Sequence, residues 1–127
     1  MACVIAIMQN DRGDFLLQKR SVQKGGTWAF TGGHLEDGEE RLFAIVREVK
    51  EELGLTLDPK DFNHFYNNER AGYFHIVGDF DVKQENLAKA EVQQTAWFTR
   101  PQIDDLIKSN KFFDKHLPCL DIVDKFL

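Results

Sequence analysis

The chain has 127 residues, 16 basic against 21 acidic for a net charge of −5, and is 43% hydrophobic with 11 phenylalanines. That length and apolar content suit one globular domain over residues 1–127 with a true core, and exclude a disordered segment. The acidic balance argues against duplex nucleic acid as a partner, because such binding needs a basic face, and it requires any phosphate handled here to be neutralised locally. No apolar run reaches the length of a membrane span. The segment from Met1 to Ile5 lacks the basic start of a signal peptide, and Cys3 and Cys119 belong to no motif. The chain therefore reads as cytoplasmic, with free thiols and no membrane partner.

Residues 2–8, ACVIAIM, are continuously apolar and predict a buried strand. Residues 9–14 have turn composition, and residues 15–20, FLLQKR, predict the partner strand of a hairpin ending in Lys19 and Arg20. A loop over 23–26 leads to a short strand at 28–30, where alternation puts Trp28 and Phe30 on one face.

The stretch from Gly33 to Leu55, GHLEDGEERLFAIVREVKEELGL, organises the rest. Gly32-Gly33 predicts a glycine-lined loop with positive φ available. Asp37 is an N-cap candidate with acidic residues behind it, and Gly54 is a C′ glycine. At about 100° per residue, Leu42, Val46, Val49 and Leu53 share one side and Glu48, Glu51 and Glu52 the other. Beyond it, 62–70 and 73–82 predict two antiparallel strands joined near Ala71-Gly72. A polar mobile loop follows over 83–91, then a strand over 93–99, a helix opening at Pro101, and a last helix over 117–127 with Leu117, Leu120, Val123 and Leu127 on one face. Strands around a central helix with helices at the end predict a mixed sheet packed between helices.

The glutamate face carries the chemistry. Carboxylates three and four apart on a helix repel by a few tenths of a kcal/mol per pair in water. A face that served only solubility would mix in lysines. The cluster makes sense around a cation, and carboxylate oxygens suit Mg²⁺, Mn²⁺ or Ca²⁺. A glycine-rich approach running into this face predicts a metal–phosphate site.

Gly33, five residues, Glu39, seven residues, then Arg47-Glu48-Val49-x-Glu51-Glu52-x-Gly54-Leu55 resembles the Nudix box at every specified position. The lead-in from Trp28 to Gly33 is similar to the usual one, except that Thr31 stands where proline is common. Trp97-Phe98 resembles the late strand of such proteins.

The resemblance implies an α/β/α sandwich with a mixed β-sheet between helices. It implies Mg²⁺-dependent (or Mn²⁺-dependent) hydrolysis of a nucleoside diphosphate linked to another group. A MutT-like protein would convert a nucleoside triphosphate, including an oxidised one, to monophosphate and pyrophosphate. A dinucleoside polyphosphate is the second substrate reading, with Tyr73 near where such members carry a tyrosine. A catalytically silent nucleotide sensor is the rival from another class, and such members usually lose box glutamates. The implied partner is a small nucleotide, and the protein a monomer or homodimer.

The implied metal ligands are Glu51, Glu52 and the Gly32 carbonyl, with Glu48 as ligand or base and Glu91 added from the later loop, where Glu85 competes. Arg47 orients Glu48. Glu39 either joins the chemistry or caps the helix start. Arg20 either approaches the phosphates or ends its strand in solvent, and Gly33 and His34 approach the phosphates. Trp28 and Phe30 either stack a base or pack in the core, and His116 lies where related proteins place a base-reading side chain.

Overall fold

The strand β1 (Cys3–Gln9) has no polar face: Val4, Ala6 and Met8 project to one side and Ile5 and Ile7 to the other, none more than 6% exposed. A strand buried on both faces must lie at the centre of a sheet covered twice, and it does. The computed structural model describes residues 2–127. The sheet runs β3 (Trp28–Ala29), β2 (Phe15–Arg20), β1, β6 (Ala71–Val77), β5 (Asn63–Asn67). In addition, β4 (Thr31–His34) pairs with β1 and β7 (Val92–Phe98) with β2. The β1–β6 pair is parallel and the other pairs are antiparallel, so the sheet is mixed.

Helix α1 (Arg41–Leu53) covers one face, packing Ala44, Ile45, Val49 and Leu53 on Val4, Ala6, Met8, Leu16 and Phe74. Helices α2 (Arg100–Lys108) and α3 (Leu117–Phe126) cover the other, bringing Ile103, Cys119, Leu120, Ile122 and Val123 to Ile5, Ile7, Leu17 and Phe30. This is the α/β/α sandwich that the sequence predicts.

Several local expectations are corrected. Gly32-Gly33 is not a positive-φ loop but part of β4, in register with Ile5 and Val4. Glycine is needed at Gly32 for close approach, since a Cβ there would strike the Val4 carbonyl oxygen. Asp37 does not cap α1. It sits in a turn with Gly38 at φ +73°, and the helix starts after Glu40 with no side-chain cap. Gly54 does close α1 in the left-handed region, at φ 72°.

The buried stripe of α1 is rotated from the expected one. It includes Glu52, while Leu42 and Val46 are only half-buried. The β5–β6 turn falls on residues 68–70, earlier than expected, because the Asn68 side chain accepts the N–H groups of Arg70 and Ala71. On α3, Leu117 is exposed and Leu127, just beyond it, is exposed too; Cys119 and Ile122 take the buried places.

The polar 83–91 segment is tied to the end of α1. Leu87 is buried, and the Ala88 N–H donates to the Glu52 carbonyl at 3.1 Å. Among the described residues no helix is long and apolar enough to cross a membrane, and Cys3 and Cys119 are both unpaired.

Candidate active site

Arg47 is the hub of the α1 carboxylates. Its Nε and Nη2 donate to the two oxygens of Glu39 at 2.8 and 2.9 Å. Its Nη1 donates to Glu48 Oε1 at 2.9 Å and to Glu51 Oε2 at 3.1 Å. Nη2 also reaches the His34 carbonyl oxygen at 3.1 Å, which ties α1 to the end of β4. The Arg47 hydrogen bonds hold the Glu39 carboxyl down at about 2, helped by the Glu36 N–H, and the same contacts raise the guanidinium. Glu39 therefore spends both oxygens on Arg47 and does not border the cavity described below. In this arrangement it supports Arg47, and it does not cap α1.

Glu48 lies flush against Gly33. A Cβ on Gly33 would come within 2.5 Å of both Glu48 carboxylate oxygens, so glycine is what lets the strand and the carboxylate meet. One turn on, Glu52 is buried at 9% exposure. Burial pushes its carboxyl above the usual range and the Glu48 charge adds to this, while a hydrogen bond from Gln18 opposes it. Gln18 Nε2 donates to Glu52 Oε1 at 3.1 Å, and the Thr31 hydroxyl donates to Gln18 Oε1 at 2.9 Å. Glu51 stays more open, with its side chain 54% exposed.

These groups border a cavity of about 940 Å³, of the size that takes a nucleotide-scale ligand. Glu48, Glu51, Glu52 and Glu91 line it together with Gly32, Gly33 and His34. Glu91 pairs with Lys24 Nζ, and its charge reaches Glu52. Glu85 does not border the cavity. Cationic side chains line it too: Arg20, Lys24, Arg70 and Lys115. The Arg20 guanidinium lies 3.7 Å over the Phe113 ring and donates to the Lys24 carbonyl at 2.8 Å.

His116 closes this wall. Its Nδ1 accepts the Phe30 N–H at 3.1 Å, and burial, with Arg20 nearby, pushes its pKa down to about 4. A ring nitrogen that accepts from an amide cannot carry the proton, so neutral His116 holds it on Nε2. That N–H has no protein partner among the described residues.

Of the two aromatic candidates, Phe30 is 1% exposed in the core with an edge on the cavity. Trp28 packs edge-on against Phe98 at 4.8 Å and does not reach the cavity, so core packing is its role. His34 borders the cavity with its Nδ1 3.3 Å from Cys3 Sγ. The cavity also takes in Gln18, Lys24, Arg70 and Lys115, which no motif in the sequence marks. Only Gln18 had a readable signal: a polar side chain inside a buried strand needs a partner.

Among the described residues no three His, Cys, Asp or Glu side chains already converge as a metal cage. The carboxylates are instead divided between Arg47, which holds Glu48 and Glu51, and Gln18, which holds Glu52. The donor set still fits a hard divalent cation. It is all carboxylate oxygen, and it includes a buried carboxyl whose ionised form needs a positive neighbour.

The NUDIX domain family model matches residues 1–118. An uncharacterised Nudix hydrolase of Listeria innocua is 31% identical over 111 residues, which is 81% of this chain and 66% of that protein. The CTP pyrophosphohydrolase of Escherichia coli is 37% identical over 71 residues, covering 54% of this chain and 52% of the relative. The chain thus spans about two thirds or less of the length of these relatives. A crystal structure of a Deinococcus radiodurans protein superposes with a TM-score of 0.78 at 17% identity, covering 94% of this chain and 78% of that one, which shows the fold alone. With the box glutamates on α1, Gly33 against Glu48 and the family model spanning nearly the whole chain, this protein belongs to the Nudix family.

Proposed function

We propose that the chain is a divalent-cation-dependent pyrophosphohydrolase, acting in the cytoplasm on a nucleoside diphosphate linked to a second group, with Mg²⁺ or Mn²⁺ as the ion. The preferred substrate is a nucleoside triphosphate, cleaved to monophosphate and pyrophosphate. The observation that carries this reading is the single cavity in which a carboxylate face and a cationic wall meet. The E. coli relative named for CTP supports the triphosphate class over the part of the chain it covers.

Glu51 and Glu52 would hold the cation, with Glu91 beside them and Glu48 as a further ligand or the base. When bound, the ion supplies charge neutralisation for the diphosphate and acidifies water. The chain's own residues do the rest. Arg47 fixes one oxygen of Glu48, which leaves the other to take a proton from the attacking water. Water attacks phosphorus in line, the bridging P–O bond breaks, and the leaving phosphate oxygen takes the electron pair. Arg20, Lys24, Arg70 and Lys115 offset the phosphate charge along the wall. His116 donates its Nε2–H to an acceptor on the base, so a base edge carrying a carbonyl oxygen is favoured over one carrying an amino group.

The experiment is a panel of nucleoside triphosphates, dinucleoside polyphosphates and ADP-ribose, ranked by kcat/KM. The triphosphates should lead. A dinucleoside polyphosphate ranked first would replace this substrate reading while leaving the anhydride chemistry intact.

A further inference from the structure

Thr31 on β4 and Gln18 on β2 form a buried polar pair behind the glutamate helix. Thr31 is 1% exposed, Gln18 7% and Glu52 9%. An unpaired polar group at such depth is destabilising, so each needs a partner. The partners form a directed chain. A hydroxyl can donate, and that of Thr31 donates to Gln18 Oε1 at 2.9 Å. A primary amide accepts at one end and donates at the other. With the amide turned so, its NH₂ donates to Glu52 Oε1 at 3.1 Å. Against an ionised Glu52 a flipped amide would set oxygen against oxygen. Glu48, one turn back on α1, is the neighbouring carboxylate and lines the cavity with Glu52. One oxygen of Glu52 is thus committed, and the carboxylate is aimed at Glu48 and the cavity.

We propose that Thr31 and Gln18 are positioning residues that aim Glu52 as a cation ligand: the Thr31 hydroxyl braces the Gln18 amide through its oxygen, and Gln18 holds one oxygen of the carboxylate. A proline in place of Thr31 has no hydroxyl to donate and could not do this. The inference rests on the cation reading given under Proposed function.

The test is Mn²⁺ binding to the full chain, measured by calorimetry without nucleotide, with thermal unfolding in chelator run alongside. Thr31→Val keeps the shape and removes the donor, and Gln18→Met keeps the length and removes the amide. Both should weaken Mn²⁺ binding by about 10- to 100-fold, the range for lost outer-shell partners of a metal ligand. Thr31→Ser restores the hydroxyl and should bind Mn²⁺ as the parent does.

A purely structural role would lower the unfolding temperature in chelator and leave Mn²⁺ affinity unchanged, and that result overturns the inference. Equal losses in Thr31→Val and Thr31→Ser would overturn it too, since the hydroxyl would then not be the operative group. Absence of Mn²⁺ binding by the parent would overturn the cation reading itself, a failure distinct from parent-like binding in Thr31→Val and Gln18→Met.

Discussion

Arg47 presents its Nε and Nη2 to both oxygens of Glu39, at 2.8 and 2.9 Å, and this bidentate grip fixes where its remaining Nη1 meets Glu48. Lysine keeps the charge but lacks the planar fork. Arg47→Lys should lower kcat/KM by about 10- to 100-fold, and Glu39→Gln by less. The double variant should be little worse than Arg47→Lys alone, because residues acting as a unit are not additive. Fully additive losses in steady-state kinetics would give Arg47 a separate task, on substrate phosphate.

The two glycines of β4 should fail differently. A Cβ at Gly33 meets the end of the Glu48 side chain, which can swing away. Gly33→Ala should retain the fold and lose roughly 100-fold in kcat, the scale for an ångström of misplacement at a reacting centre. A Cβ at Gly32 meets Val4 backbone, which cannot yield. Gly32→Ala should therefore lower the urea midpoint markedly. Equal stabilities for the two variants would contradict this division.

His116 gives a pH signature. Its pKa is 6.5 when exposed and about 4 in the fold, so the folded protein binds fewer protons between these values. A depressed pKa contributes stability that is present above pH 6.5 and is lost as pH falls toward 4, by about 3 kcal/mol at most. Other groups titrate in the same window, so the informative quantity is the difference between the parent and His116→Gln in urea unfolding. That difference should shrink steadily from pH 7 to pH 4. A constant difference would mean that His116 is not held neutral.

The same residue bears on specificity. Inosine and uridine triphosphates should be preferred over adenosine and cytidine triphosphates by about tenfold or more, because an obligate donor leaves an amino group unpaired. Glutamine can turn its amide either way, so His116→Gln should bring both ratios toward unity. Unchanged ratios in the variant would remove His116 from base reading.

Much of this was legible in the chain. The unbroken apolar run of β1 and the order of strands and helices pointed to a mixed sheet packed between helices, and the spacing of Glu48, Glu51 and Glu52 pointed to a candidate cation-holding face. The rest depends on contacts that spacing does not encode. How far α1 is rolled on the sheet decides that Glu52 is buried and Glu51 is not, and docking on Val4, Ala6 and Met8 sets that roll. Arg47 finds Glu39 only because the turn at Gly38 folds residues 36–39 back over the helix. His116 meets Phe30 across 86 positions of sequence, on a helical turn that no local pattern ties to β4. The type of Trp28 suits either base stacking or core packing, and its edge-on contact with Phe98 decides for the core.

Metal-dependent attack of water on phosphorus at this carboxylate face is measured by turnover of a nucleoside triphosphate in ¹⁸O-labelled water, with Mg²⁺ and with excess chelator, for the parent and Glu52→Gln. The products should be monophosphate and pyrophosphate, with the label on one of them. Turnover should cease in chelator and fall by at least about 1,000-fold in Glu52→Gln. Orthophosphate as the main product, or full activity in chelator, would contradict it.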